Sequence, residues 1–211
     1  MIIAIEGIDG AGKNTLTGTL IHGLEAAGLQ ADRLAFPRYA DSIHAQLAAD
    51  ALHGKMGDLT DSAHAMATLF ALDRYGAKAE LEAYSGSGDR VLILDRYVAS
   101  NAAYTSARTG NASDRQWVYD LEFGRFGVPL PDAQVLVDTS PAIARDRAQR
   151  REENDASRTR DRYERDAALQ DATFAAYRDL ARDLWAGRWI TTMDAQPIIE
   201  FVLKMTSKGH P

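Results

Sequence analysis

A glycine-rich segment directly after the first apolar run of the chain constrains its fold more than any other feature. The run Ile2–Glu6 has the length and composition of a buried strand, and residues 7–15 then read GIDGAGKNT. This segment matches G-x-x-x-x-G-K, a pattern in which backbone N–H groups at a strand-to-helix turn surround a polyphosphate. The alternative is a tight turn with a surface lysine. The position of the match favours a phosphate-binding loop.

The residue after the lysine departs from the usual pattern, which has Ser or Thr there. Asn14 offers a metal ion no hydroxyl, and Thr15 lies one residue out of register. We therefore expect a metal to be held by phosphate oxygens, water and carboxylates. Lys13 is expected to reach the terminal phosphates and to be catalytic. The predicted contacts to the phosphates of the nucleotide are Gly7, Asp9, Gly10, Ala11, Gly12, Lys13, Asn14 and Thr15.

Beyond the loop, short apolar runs alternate with longer amphipathic segments, as in a parallel sheet covered by helices on both faces. Five runs are predicted to be strands, with about eight helices between them. Ligands of such sheets gather at the carboxyl ends of the strands, where Glu6 and Asp95 lie. The predicted strands are residues 2–6, 31–36, 90–95, 134–139 and 188–193.

Composition narrows the class of protein. The 211 residues fit one domain, and the 45% hydrophobic and 26% charged residues are ordinary for a globular chain. The absence of cysteine excludes a disulfide framework and a thiolate metal site. A net charge of −6 argues against a general nucleic-acid-binding surface. We expect no signal peptide and no membrane span, because no basic flank and no long apolar run is present.

A phosphate loop identifies a nucleotide but not a reaction, so two classes stay open. One is an enzyme that transfers a phosphoryl group, and the other is a GTP-dependent switch. A guanine-specific switch is expected to carry N-K-x-D late in the chain, but no Asn-Lys pair occurs. Eight of the nineteen arginines lie in residues 145–165. This cluster favours transfer, because a kinase needs mobile positive charge over the migrating group.

Two helical segments carry candidate binding residues. Phe70 and Arg74 share a helix face, so they either hold a planar base or are a core Phe with a surface Arg. Asn101 and Tyr104 share a face with Tyr97, which fits either a pocket or a solvated helix.

Arg96 follows the third predicted strand directly. Its guanidinium either grips a phosphate with two hydrogen bonds or forms an ion pair with Asp95 or Glu122. Arg38 and Tyr39, at the end of the second predicted strand, are candidates for the same phosphate, with a Pro37 turn as the alternative.

The loop together with FPRY at 36–39, FALDR at 70–74 and DRY at 95–97 resembles the thymidylate kinase family, in its mycobacterial type, from Met1 to about Trp189. The resemblance implies a three-layer P-loop nucleoside monophosphate kinase fold with a five-stranded parallel sheet of order 2-3-1-4-5. It implies a cytoplasmic homodimer that phosphorylates dTMP to dTDP with ATP and Mg²⁺. Another P-loop phosphotransferase, or a non-catalytic nucleotide-binding module, is the alternative.

The resemblance also implies residue roles on the acceptor side. Phe70 stacks on thymine, Arg74 binds its carbonyl edge, Asn101 reads the base, and Tyr104 lies against the 2′ position of the sugar. Arg96 binds the acceptor phosphate and is catalytic. The remaining predicted contacts to dTMP are Asp9, Phe36, Arg38, Tyr39 and Tyr163.

Asp9 is also predicted to be catalytic and to hold the metal together with Glu164. The resemblance places Asp9 near the 3′-hydroxyl and Mg²⁺. The alternative for Asp9 is a side chain that stabilises the turn of the loop.

The arginine-rich segment lies between the fourth and fifth predicted strands, where the family has its lid, at about residues 141–162 of the single domain 1–211. Pro141 is expected to begin a helix, and Arg147, Arg150 and Arg151 share one side of it. We predict that Arg150 and Arg158 are catalytic and neutralise charge in the transition state. A solvated helix laced by acidic neighbours is the alternative.

Overall fold

Five parallel strands form the centre of the fold, in the order β2-β3-β1-β4-β5. The structure, a computed structural model, describes residues 1–154 and 161–207. The order confirms the predicted sheet, and the first and third strands have the predicted bounds. The strands are β1 Ile2–Glu6, β2 Gln30–Ala35, β3 Arg90–Asp95, β4 Ala133–Leu136 and β5 Trp189–Thr191.

Helices connect the strands and cover the sheet. They are α1 Lys13–Ala26, α2 Ile43–Leu52, α3 Ala63–Gly76, α4 Lys78–Glu82, α5 Val98–Thr109, α6 Asp114–Tyr119, α7 Pro141–Asn154, α8 Arg162–Arg165, α9 Ala167–Arg182 and α10 Gln196–Thr206, with a 3-10 turn at Leu59–Asp61 and a π-helical segment at Asp120–Phe126. Helix α1 packs on β1, β2 and β3 and contacts α10, while α9 packs on β4 and β5 and contacts α5. Within residues 1–154 and 161–207, no helix has the length and apolarity needed to span a bilayer.

The fourth strand ends three residues earlier than predicted. Its ladder stops at Leu136, and the amide of Thr139 turns back to the carbonyl of Val137 at 2.8 Å. The Thr139 hydroxyl donates to the carbonyl of Ala11 at 2.7 Å. The apolar run therefore leaves the sheet to support the glycine-rich loop, a contact that periodicity does not reveal.

The strand register brings the carboxyl ends of the strands to one edge. Asp95 lies opposite both Ile5 and Ala35, while Leu136 lies opposite Glu6 and Thr191. The central strand β1 is buried along its whole length, as expected for a strand covered on both faces. Residues that follow the strands therefore meet at this edge.

A second, smaller apolar cluster joins α2 to α3. Ala48, Ala51, Leu52 and Met66 are buried there, and Phe70 packs against them. This cluster builds a wall beside the carboxyl edge of the sheet, so that the edge becomes a cleft.

Gly10 provides a test of how α7 sits on the loop. Its φ is +80°, and a Cβ there would lie 2.0 Å from the carbonyl oxygen of Ala144. We predict that Gly10→Ala lowers the free energy of unfolding by at least about 1 kcal/mol, because of the clash and the left-handed conformation. Urea denaturation measures the change.

Gly18→Ala is the matched control, because Gly18 lies in α1 with no atom within 4 Å of an added Cβ. It should stabilise the protein by about 0.5–1 kcal/mol through helix propensity. Equal stability of the two variants would show that α7 does not sit against the loop.

Candidate functional site

A cavity of about 510 Å³ opens at the carboxyl edge of β1 and β3. Its size is that of a pocket for a small organic ligand. Most of the residues predicted to contact dTMP line this first cavity. Sequence analysis did not identify five others in its lining, which are Ala49, Leu52, His53, Ser100 and Asp161. The predicted residues in its lining are Asp9, Phe36, Tyr39, Phe70, Arg74, Arg96, Asn101, Tyr104, Tyr163 and Glu164.

Two further cavities follow the glycine-rich loop. The second, of about 470 Å³, is lined by Gly10, Gly12, Lys13, Asn14 and Thr15 together with residues of other elements. The third, of about 370 Å³, runs along α1 to the segment after β5.

Shared residues connect the three cavities. Asp9 and Arg96 line both the first and the second, and Arg147 lines both the second and the third. The site therefore has room for two ligands that meet at Asp9 and Arg96.

Asp9 and Arg96 form an ion pair at this junction. Nη2 of Arg96 donates to Oδ1 of Asp9, and the Tyr104 hydroxyl donates to Oδ2 of Asp9 at 2.8 Å. Nη1 of Arg96 donates to the carbonyl of Gly7 at 3.0 Å. The partner of Arg96 is thus Asp9 and neither Asp95 nor Glu122.

Electrostatics keep this pair charged. Burial alone would raise the pKa of Asp9, but Arg96 and Lys13, with the hydrogen bond from Tyr104, hold it well below its usual range. Burial likewise opposes the charge of Arg96, and Asp9 raises the pKa of that guanidinium. A carboxylate with so low a pKa is a poor proton acceptor, so Asp9 is suited to orienting Arg96 and to binding cations.

A buried hydrogen-bond network around Glu6, which the sequence did not predict, supports Arg96. Glu6, fully buried at the end of β1, accepts hydrogen bonds from the amide of Tyr97 at 2.8 Å, the hydroxyl of Ser100 at 2.7 Å and that of Tyr177 at 3.1 Å. Ser100 and Tyr177 in turn accept from Nη1 of Arg96 at 3.2 and 3.3 Å. Burial raises the pKa of Glu6, and the hydrogen bond from Ser100 opposes that rise.

The far end of the first cavity carries Phe70, Arg74 and Asn101. Arg74 is an interior residue, since its side chain is 4% exposed and bonds Glu122 through Nε at 2.5 Å and Nη2 at 2.7 Å. Nδ2 of Asn101 donates to the same carboxylate at 2.7 Å and to the carbonyl of Ala67 at 3.0 Å. This excludes the surface arginine and the solvated helix that spacing alone had left open.

Arg38 is not among the residues lining these cavities. Its Nε donates to Oδ1 of Asp73 at 2.9 Å, its backbone amide to Oδ2 at 2.9 Å and its Nη2 to the carbonyl of Asp73 at 2.6 Å. Asp73, fully buried on α3, therefore ties down the segment after β2. The proposed contact of Arg38 with a phosphate stays a prediction.

The glycine-rich loop is stabilised by its own lysine. Nζ of Lys13 donates to the carbonyls of Gly7 at 3.0 Å and Ile8 at 2.9 Å. Burial and the nearby Arg96 lower the pKa of Lys13 to about 8. The ammonium thus lies at the loop in an environment that is unfavourable for its charge.

Asn14 has a partner that the sequence did not suggest. Its Oδ1 accepts from Nη1 of Arg33 at 2.8 Å, and Nη2 of Arg33 donates to Asp95 at 2.7 Å. Arg33 lies on β2, so the fold brings a second guanidinium beside the loop. The side-chain oxygen of Asn14 is therefore engaged with this guanidinium.

Two of the lid arginines differ in their placement. Nη1 of Arg147 donates to the carbonyl of Ala11 at 3.3 Å, so this side chain lies against the loop. Arg150 is 72% exposed and pairs with Asp146 at 3.1 Å. Arg158, the other predicted catalytic arginine, lies outside the described residues, as does the side chain of Arg151.

The short helix α8 closes one side of the first cavity. Asp161 caps it in a capping box with Glu164, and the ring of Tyr163 stacks on Tyr104 with centroids 6.0 Å apart. Burial, followed by the neighbouring Asp9 and Asp161, raises the pKa of Glu164 to about 7. Burial and the neighbouring carboxylates therefore disfavour a negative charge on Glu164.

The donor atoms around Asp9 and Glu164 fit a hard cation. Both carboxylates and Gln170 line a small cavity, and Oε1 of Gln170 is buried without a hydrogen-bond partner within residues 1–154 and 161–207. Magnesium prefers such oxygens, with water and phosphate completing its shell. Among those same residues, no cluster of three or more His, Asp or Glu side chains could hold a metal alone.

The chain is similar in sequence to known enzymes that act on nucleotides. A family model described as thymidylate kinase matches residues 5–205. The thymidylate kinase of Mycobacterium tuberculosis is 52% identical over 193 residues, which cover 90% of each chain. That of Bifidobacterium longum is 30% identical over 86% of this chain and 84% of its own, and the human enzyme is 29% identical over 86% and 77%. The resemblance drawn from the motifs is thereby confirmed.

The low pKa of Lys13 leads to a prediction on pH. Bound polyphosphate favours the charged lysine, so above pH 8 binding must take up a proton that the free protein has lost. We predict that the affinity for ATP without Mg²⁺ is steady below pH 8. Above it, the affinity should fall by up to about tenfold per pH unit, as calorimetry between pH 7 and 10 would show.

Lys13→Met is the control, because it removes the titrating group. The variant should bind ATP more weakly and without this fall above pH 8. The same fall in parent and variant would assign the titration to another group.

Proposed function

This chain belongs to the thymidylate kinase family, and we propose that it catalyses the ATP-dependent phosphorylation of dTMP to dTDP. The observation that carries the proposal is the meeting of two cavities at the Asp9–Arg96 pair. A protein that only binds a nucleotide needs one such cavity. A phosphotransferase needs two, joined where the phosphates react.

The first cavity suits dTMP along its whole length. Phe70 offers a ring for the base, and Arg74 and Asn101 offer polar atoms for its edge. Tyr104 and Tyr163 lie where the sugar would pass, and Arg96 at the junction offers a guanidinium to the phosphate.

The second and third cavities suit ATP. The N-terminus of α1 and the loop amides face the second cavity, which favours anionic oxygens. The third cavity continues past Arg147 to Met193 and Ala195, which offer apolar surface to a base.

The reaction needs no general base. An oxygen of the dTMP phosphate is already anionic near neutral pH and attacks the γ-phosphorus of ATP. A new O–P bond forms as the bond to the β,γ-bridging oxygen breaks, and its electron pair leaves with ADP. Catalysis then consists of alignment and of neutralising charge, for which Lys13, the loop amides and Arg147 are placed.

We propose that Asp9 and Glu164 hold Mg²⁺ together with water and phosphate oxygens. When bound, the ion neutralises charge on the phosphates. Because Asp9 also accepts from Arg96 and Tyr104, its two oxygens stay aimed at the junction. The family resemblance further supports a single-domain homodimer in the cytoplasm, which sedimentation and localisation of the tagged chain would test.

A coupled assay of ADP release tests the function. We would compare dTMP with dUMP, dCMP, dAMP and dGMP and with free thymidine, and we expect the highest kcat/KM for dTMP. Turnover of free nucleosides without turnover of monophosphates would overturn the proposal.

Arg96→Ala is predicted to weaken dTMP binding by about 1.5–3 kcal/mol, or roughly tenfold to a hundredfold, with little change in ATP affinity. The reason is loss of a charged donor at the acceptor end of the junction. Calorimetry with each ligand measures it. Arg38→Ala is the comparison, since Arg38 is bound to Asp73, and its effect on dTMP should be smaller. Equal losses for ATP and dTMP in Arg96→Ala would indicate a structural role.

Arg147→Ala is predicted to lower kcat by on the order of 10³-fold, with little change in dTMP affinity, because its guanidinium lies beside the loop. Arg150→Ala should have the smaller effect, since the Arg150 side chain is 72% exposed and is paired with Asp146. Steady-state kinetics compare the two. A larger fall in Arg150→Ala would support our original choice of Arg150 and contradict the role assigned to Arg147.

A further inference from the structure

Glu122 is a fully buried carboxylate that the proposed chemistry does not use. It lies in the π-helical segment, and its oxygens accept hydrogen bonds from Arg74 on α3 and Asn101 on α5. It is thus the common partner of the two side chains that face the base. A buried acid between two such residues affects what they can offer a ligand.

The hydrogens of Asn101 are both committed. One is donated to Glu122 at 2.7 Å and the other to the carbonyl of Ala67 at 3.0 Å. A carboxylate and a carbonyl can only accept hydrogen bonds. If the Asn101 amide were flipped, its Oδ1 would face these two acceptors without a hydrogen between them. Asn101 can therefore offer the cavity only its Oδ1, an acceptor with two lone pairs that also receives a long hydrogen bond of 3.5 Å from the hydroxyl of Thr105.

Two of the three nitrogen atoms of the Arg74 guanidinium are also engaged with Glu122. Nε and Nη2 bond the two oxygens of Glu122. Nη1 has no hydrogen-bond partner in residues 1–154 and 161–207, and Arg74 lines the first cavity. What it can offer a ligand is a donor.

We propose that Glu122 is a positioning residue that sets the hydrogen-bond polarity of the base pocket as one donor and one acceptor. This inference rests on the proposed function. A 4-oxo pyrimidine presents O4 to the donor Arg74 and N3–H to the acceptor Asn101. A 4-amino pyrimidine presents an NH₂ group and an N3 lone pair, so each contact becomes donor against donor or acceptor against acceptor. The pocket then rejects the amino base through unpaired buried groups rather than through shape.

The alternative is that Glu122 only fastens α3, α5 and the π-helical segment together. Both roles predict that a substitution of Glu122 lowers the stability of the folded protein. Only the polarity role predicts a change in which base is chosen.

The test compares kcat/KM for dTMP and 5-methyl-dCMP in the parent and in Glu122→Gln. These substrates share the sugar, the phosphate and the 5-methyl group and differ only at position 4 and N3. The Gln amide replaces one carboxylate oxygen by a donor NH₂ group. That group faces Nε of Arg74 or, in the other orientation, Nη2 of Arg74 and Nδ2 of Asn101, so the pairing that fixes the two base-facing side chains is broken either way. We expect the preference for dTMP to fall at least about tenfold, with a higher KM for dTMP and an unchanged KM for ATP.

Asp73→Asn is the matched control. It breaks another buried ion pair on α3, that with Arg38, but Asp73 forms no hydrogen bond with Asn101 or with the Arg74 guanidinium in the described part of the chain. It should lower stability while keeping the dTMP preference within about twofold of the parent. An unchanged preference in a folded Glu122→Gln would overturn the proposal and leave the fastening role.

The parent itself provides a second measurement if Glu122→Gln does not fold. Both side-chain amide hydrogens of Asn101 should exchange slowly with solvent by NMR and remain protected when dTMP is added. Fast exchange, or release of either hydrogen on binding dTMP, would contradict the fixed polarity. Failure of the proposed function is distinguishable, since it would appear as a parent that does not phosphorylate dTMP.

Discussion

The ion pair between Asp9 and Arg96 joins the two halves of the site. Asp9 belongs to the loop after β1 and Arg96 to the turn after β3, strands that lie side by side with Ile5 opposite Asp95. Arg96 has a left-handed backbone, with φ of 68°, and its amide bonds the carbonyl of Ile5 at 2.9 Å. Such a conformation in a bulky residue is unfavourable and persists only where the surroundings hold it. The buried network at Glu6 is what holds it here.

The rest of the site is arranged around that pair. The first and second cavities both reach it, and in the proposed reaction each would bring the phosphate of one substrate there. Because Asp9 remains ionised and Arg96 charged, the junction presents a fixed positive group beside a negative carboxylate. This is the arrangement that transfer between two polyanions requires, since preorganised charge lowers the barrier without rearrangement.

The sequence predicted the elements well and their partners poorly. Apolar runs predicted the strands, but their order followed only from the family resemblance. Helix spacing paired Phe70 with Arg74 and Asn101 with Tyr104 without showing that they share one cavity. The ion pairs were not predictable, because they join residues far apart in the chain, such as Arg74 with Glu122 and Arg38 with Asp73. The pairing partners we considered for Arg96 were Asp95 and Glu122, which instead bond Arg33 and Arg74. Which charged side chains pair depends on how whole helices and strands pack. The spacing of residues along one element does not predict these pairs.

The proposed reaction depends most on the two substrates meeting at Asp9 and Arg96. A crystal structure with dTMP and a non-hydrolysable ATP analogue tests this most directly. We expect the thymine ring beside Phe70, the dTMP phosphate on Arg96, and the terminal phosphate of the analogue on Lys13, facing the dTMP oxygen. A dTMP phosphate bound away from Arg96, or the two phosphates separated by the intact Asp9–Arg96 pair, would contradict it.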